Sequence, residues 1–147
     1  MFDTVLFDLD GTLTDPGTGI TNSVAYSLKK FGIEVDDRKE LYKFIGPPLH
    51  DSFMKYYGFS EEEAETAIVY YREYFRDIGI FENEVYGGIE NLLNEIKASG
   101  RKIILATSKP EEFAKRILVH FGLDKYDGDI IPYWKLKCWR RWIRSVT

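Results

Sequence analysis

A chain of 147 residues that is 44% hydrophobic and 30% charged can bury a core and falls within the single-domain range, which excludes a disordered polypeptide. Its net charge of −4 offers no broad basic surface for nucleic acid, whose phosphates need clustered Lys and Arg, and no apolar run reaches membrane-spanning length. The lone cysteine, Cys138, cannot close an internal disulfide and no charged-then-apolar leader opens the chain, so a cytoplasmic protein is expected, with neither nucleic acid nor membrane as its partner.

Thr4-Val5-Leu6-Phe7 is a short apolar run that ends at Asp8, with the turn-forming Asp10-Gly11-Thr12 directly behind it. That order predicts a buried strand delivering a loop at its C-terminal end, where open α/β sheets hold their ligands. From Ile20 the spacing becomes helical, with Val24, Leu28 and Phe31 on one stripe and Gly32 as the stop. A second helical stretch is expected over 37–45, ended by Gly46-Pro47-Pro48, and a third through Leu49, Phe53 and Met54. Ser60 and Glu63 form a capping-box pattern before a helix whose inner face is Ala64, Ala67, Ile68, Tyr71 and Phe75. Residues 16–84 thus read as an all-helical insertion.

Beyond Gly87-Gly88 the α/β rhythm returns. Ile89, Leu92, Leu93 and Ile96 predict a helix closed by Gly100, Lys102 to Ala106 a second apolar strand ending at Thr107-Ser108, and Phe113, Ile117, Leu118 and Phe121 a helix starting near Pro110. Strand, helix and strand in that order imply a parallel pair joined by a right-handed crossover.

The chemistry is concentrated in Asp8-Leu9-Asp10-Gly11-Thr12. A carboxylate can attack phosphorus and split phosphate transfer into two easier displacements, which suits Asp8. A second carboxylate two residues on can protonate the leaving oxygen and later deprotonate water, which suits Asp10. Gly11 lets the backbone turn away sharply and lets amides approach a phosphate, and Thr12 can add a short polar contact. A carboxylate about 4 Å from each charge of a phosphate dianion is repelled by about 4 kcal/mol per pair at an effective dielectric near 20, so a cation is required. Mg²⁺ is expected, on the Asp8 side chain and the Asp10 carbonyl. Thr107, and the amides that open the helix behind it, can receive phosphoryl oxygens. An isolated Asp-Gly is by default a turn. Here an apolar strand, paired aspartates, Gly-Thr and a distant apolar strand ending in Thr-Ser-Lys occur in order, and the functional reading is preferred.

Phe7-Asp8-Leu9-Asp10-Gly11-Thr12-Leu13 with Thr14-Asp15 resembles the first motif of the haloacid dehalogenase superfamily, and Ile104-Leu105-Ala106-Thr107-Ser108-Lys109 resembles its second. The insertion between them is similar to the helical cap of the branch holding phosphoglycolate phosphatases and related 5′-nucleotidases, with Gly46-Pro47-Pro48-Leu49 and Tyr86-Gly87-Gly88-Ile89 at the cap's entry and exit positions. The resemblance covers roughly residues 2–127. It implies an α/β fold with a truncated Rossmann-like parallel sheet (1–15 and 85–132) and an inserted α-helical cap (16–84). It also implies a Mg²⁺-dependent phosphomonoester hydrolase acting on a small phosphorylated metabolite, with Asp8 as nucleophile, Asp10 as acid and base, both at the metal, and Thr107 as phosphate binder. Gly11, Thr12, Ser108 and Lys109 complete the expected phosphate site.

Members of that superfamily continue into strands bearing a further lysine and an acidic pair, whereas here residues 133–147 carry five basic side chains, no acidic one and all three tryptophans. Three accounts of that tail stay open: an out-of-frame or altered end, an amphipathic helix with Trp139, Trp142, Ile143 and Val146 on one face, or a cover for a sheet edge. Asp127 or Asp129 could stand in as metal ligands, although an Asp-Gly-Asp loop is more often a solvated turn, and Lys109 could supply positive charge, although a lysine opening a helix more commonly faces solvent. The alternative to an enzyme is therefore a catalytically impaired remnant or a binding module. His50 and His120 are isolated and receive no role, the aromatic residues of the insertion are read as packing, and Arg72 and Lys43 as surface charges. Substrate choice among phosphoglycolate, a nucleoside monophosphate and pyrophosphate is left open, as is the oligomeric state.

Overall fold

A computed structural model describes residues 3–126 and 130–132; the expectations for Asp127, Asp129 and the 133–147 tail lie outside the described residues. The chain divides into two compact units, Pro16–Asn83 and the segments on either side of it, Met1–Asp15 with Glu84–Thr147.

The second of these is α/β. β1 (Thr4–Phe7) and β4 (Lys102–Thr107) run parallel with Thr4 opposite Lys102 and Phe7 opposite Leu105, and β5 (Ile130–Pro132) lies parallel on the far side of β4. Between β1 and β4 in sequence come two short strands that the apolar periodicity does not signal. β2 (Thr14–Asp15) and β3 (Glu84–Val85) pair antiparallel, each only two residues long, too short for an alternation to register. Helix α4 (Ile89–Ala98) follows Gly88, whose φ of 86° is the left-handed conformation that glycine adopts without penalty. Leu93 is buried, but Leu92, expected on the inner stripe, is 41% exposed, so the helix contacts the sheet along a narrower line than its sequence suggests. α5 (Glu111–His120) buries Ala114, Ile117 and Leu118. Phe7, Leu13, Leu93, Leu118 and Tyr126 border an apolar gap of about 20 Å³ in this core.

The helical unit starts with α1 (Gly17–Lys30), three residues earlier than the apolar stripe indicates because its first turn is built from small residues. Gly19 and Gly79 meet there: a Cβ on Gly19 would stand 1.9 Å from the Gly79 carbonyl oxygen, so no other residue fits. Gly79 ends a π-helical turn (Phe75–Gly79), whose wide Ile80 N–H to Phe75 O bond of 2.8 Å continues α3 (Glu61–Tyr74). The stretch expected over 37–45 is a 3₁₀ segment (Arg38–Phe44), capped by Asp37, whose carboxylate accepts the Lys39 N–H at 2.9 Å. α2 (Leu49–Tyr57) ends at Gly58, and α3 opens on the expected capping box: Ser60 Oγ accepts the Glu63 N–H at 3.2 Å while Glu63 accepts the Ser60 N–H at 2.9 Å. The core is aromatic. Phe53 stacks on Phe59 and tilts against Phe44, with ring centroids 5.8 and 5.1 Å apart. No helix among the described residues is long and apolar enough to cross a membrane.

Candidate active site

β1 carries the chain to Asp8, which is exposed and has one oxygen accepting the N–H of Leu9 at 2.7 Å. Leu9 itself is completely buried and anchors the loop: its carbonyl accepts the amides of Thr12, Leu13 and Thr14 at 3.2, 2.9 and 3.1 Å. Gly11, with φ of 78°, makes the reversal, and its own N–H donates to the Thr14 carbonyl at 2.7 Å. The amides of Gly11 and Thr12 are thus engaged inside the loop, and the Thr12 residue is exposed.

Asp10 sits between anchor and turn. Its Oδ2 is 3.0 Å from the ammonium of Lys109, and its Oδ1 is buried with no hydrogen-bond partner among the described residues. Burial raises its carboxyl above the ordinary value of 3.8; Lys109 opposes that shift and Asp8 adds to it. Thr14 Oγ1, in a residue with no exposed surface, is a second polar atom of this loop without a hydrogen-bond partner among the described residues.

The other half of the site is the end of β4, which the parallel register sets beside β1. Thr107 is buried, and its hydroxyl accepts the Lys109 N–H at 3.2 Å, closing a turn that leaves Ser108 exposed. The Lys109 side chain is 7% exposed, so it turns into the molecule toward Asp10 instead of facing solvent. Sequence reasoning undervalued it because a lysine at a helix start has no periodicity to reveal its direction. The usable signal was the Thr-Ser-Lys turn at the end of a strand parallel to one ending in two aspartates.

Among the described residues no cluster of three or more His, Cys, Asp or Glu could hold a metal ion. The donor set present is the Asp8 carboxylate with the Asp10 loop, which fits Mg²⁺, an ion that keeps several waters and needs only one or two carboxylates.

The family model for haloacid dehalogenase-like hydrolases matches residues 5–133. The chain belongs to that family. Among curated relatives of this haloacid dehalogenase-like protein, a 5′-nucleotidase of Pseudomonas aeruginosa is 49% identical over 83% of the chain and 55% of its own length. A protein from Mycobacterium tuberculosis named tyrosine-protein kinase PtkA is 39% identical over 83% of the chain and 41% of its own length. The chain therefore spans about half the length of these curated relatives. Among solved structures, a predicted phosphatase from Clostridium acetobutylicum superposes with a TM-score of 0.82 at 56% identity, covering 90% of this chain and 61% of that one.

Proposed function

We propose that this haloacid dehalogenase-like chain carries the chemistry of a Mg²⁺-dependent phosphatase of small phosphomonoesters, with Asp8 as nucleophile and Asp10 as acid and base. The observation that supports it is the meeting of two strand ends: an exposed carboxylate and a half-buried one leave β1 where a hydroxyl and a lysine leave the parallel β4. A nucleoside 5′-monophosphate is the first substrate to try, given the 49% identical relative named 5′-nucleotidase, ahead of phosphoglycolate and pyrophosphate.

In the first displacement an oxygen of Asp8 bonds to phosphorus as the bond from phosphorus to the leaving oxygen breaks, and Asp10 gives its proton to that oxygen. In the second, Asp10 takes a proton from water, the water oxygen bonds to phosphorus, and the Asp8 acyl phosphate opens to release inorganic phosphate. The raised proton affinity that burial confers on Asp10 suits a group that must be an acid in one half and a base in the other. The hydroxyls of Thr107, Ser108 and Thr12 are the phosphate's hydrogen-bond donors, with Gly11 leaving the approach open. Held by the Asp8 carboxylate, the Asp10 carbonyl and water, Mg²⁺ would supply the charge neutralisation that lets a carboxylate approach a phosphate.

The test is phosphate release from these substrates with Mg²⁺, comparing the chain with Asp8→Asn. Release by the first alone is expected. Equal, background release from both would leave a phosphate-binding module without turnover.

A further inference from the structure

One ion pair joins the two loops of the site, and its lysine is the more deeply buried partner: the Lys109 side chain is 7% exposed and that of Asp10 30%. A lysine that only neutralises an incoming phosphoryl group would hold its ammonium toward the solvent from which the phosphate arrives. Here the ammonium is 3.0 Å from Asp10 Oδ2. Its backbone is held too, since the Thr107 hydroxyl accepts the Lys109 N–H at 3.2 Å and Thr107 closes β4 in register beside β1. Lysine is thus tied to the sheet at one end and to the carboxylate at the other. Asp10 has little else to orient it, because Oδ1 has no hydrogen-bond partner among the described residues.

We infer that Lys109 is a positioning residue for Asp10: its ammonium fixes the orientation of the carboxyl group that delivers and retrieves the proton, in preference to binding the phosphate directly. This rests on the acid and base role proposed for Asp10. Both displacements need that carboxyl group in one place, first against the leaving oxygen and then against water, and a misplacement of about 1 Å costs about a hundredfold in rate. Loss of the clamp slows both halves while leaving substrate affinity alone.

The experiment compares the wild-type chain with Lys109→Met, which keeps the apolar stem, and Lys109→Arg, which keeps the charge. Turnover of adenosine 5′-monophosphate, whose alkoxide leaving group needs the proton, with Mg²⁺ and calorimetric binding of inorganic phosphate are measured for each. Protein labelled with ¹³C at aspartate carboxyls reports Asp10 directly at fixed pH, its resonance identified by its loss in Asp10→Asn. Lys109→Met should lower kcat by about a hundredfold with KM and phosphate affinity unchanged, and Lys109→Arg should recover most of the loss. The Asp10 resonance should shift or broaden in the methionine variant and return in the arginine variant. A raised KM and weakened phosphate binding at unchanged kcat would make Lys109 a phosphate ligand and overturn the inference. Absence of turnover in the wild-type chain would sink the phosphatase reading instead; the carboxyl spectrum then decides alone, and an Asp10 resonance unmoved by Lys109→Met overturns the positioning role.

Discussion

In the helical unit the buried hydroxyls of Thr21, Ser23 and Ser27 donate to the carbonyls of Gly17, Gly19 and Ala67 at 2.8, 2.6 and 2.7 Å. In the α/β unit Asp10 Oδ1 and Thr14 Oγ1 are equally buried and have no such partner among the described residues. Polar groups taken out of water without a hydrogen bond cost about 1–3 kcal/mol each, so a fold tolerates them chiefly where something other than stability requires them. The helical unit spends its polar atoms on packing and capping, whereas the loop behind β1 keeps two in reserve. That contrast separates residues whose removal should cost structure from residues whose removal should cost chemistry.

The largest expected effect sharpens the contrast from the chemical side. Asp8 is exposed and, among the described residues, accepts a hydrogen bond from the neighbouring amide of Leu9, so Asp8→Asn should remove phosphate release down to background while shifting the unfolding free energy by less than about 1 kcal/mol. Parallel release assays and denaturant titrations check both halves of that statement. A variant that lost activity together with several kcal/mol would return Asp8 to the structural class.

From the structural side, Phe53→Ala should cost about 3–5 kcal/mol, because Phe53 is fully buried and contacts the rings of Phe44 and Phe59. Gly19→Ala is an overpacking counterpart. The new methyl would lie 1.9 Å from one backbone oxygen and 2.9 Å from another, that of Glu82, neither of which can swing aside as a side chain would, and a loss of about 3 kcal/mol is expected. Chemical denaturation reads both, and a neutral Gly19→Ala would mean that α1 and the π-helical turn are not in contact in solution.

How far these distinctions could be seen in the sequence depended on whether a residue belongs to a periodic pattern. The apolar stripes located the α-helices among the described residues, because each reflects the burial of one face, and the Ser60 and Glu63 spacing located the start of α3, because it reflects the capping of free amides. The parallel pairing of β1 with β4 followed from strand, helix and strand in order. The π-helical turn and the two-residue strands β2 and β3 were not legible: they arise from close contacts such as Gly19 against Gly79, and contacts between distant segments leave no local period. At the site, Asp8, Asp10 and Thr107 were legible as a motif. The direction of Lys109 was not, since the same lysine at a helix start could face either way until the Thr107 turn set it.

Asp10 offers a test of sign. Burial, the largest influence, raises its carboxyl above 3.8 in the folded chain, so the folded state holds this proton more tightly than the unfolded state does. The stability it contributes is complete below the ordinary carboxylate value and is lost as pH rises through the raised one. In metal-free buffer the wild-type chain should therefore lose stability relative to Asp10→Asn as pH is increased upward from about 4. Denaturant unfolding of both proteins across that range measures it, and a difference that grows in favour of the wild type would show that the Lys109 pair, not burial, dominates.

The smallest effect lies on the helical side and tests whether satisfied polar atoms there act locally. Ser60→Ala removes the oxygen that accepts the Glu63 N–H and leaves Glu63 to hold only the Ser60 amide. Both bonds are exposed, so water replaces what is lost and no buried group is orphaned; the expected cost is about 1 kcal/mol, the usual worth of an N-cap. Glu61, Glu62 and Glu63 in the first turn still complement the helix dipole, which keeps α3 from unravelling when its cap is gone. Since Ser60 belongs to neither strand end of the site, kcat and KM should stay at wild-type values when stability falls. A Ser60→Ala variant that lost turnover in proportion to the unfolded fraction would agree with this, while one that lost turnover when fully folded would mean that the start of α3 contributes to chemistry and that the division between the two units is less sharp than their polar atoms indicate.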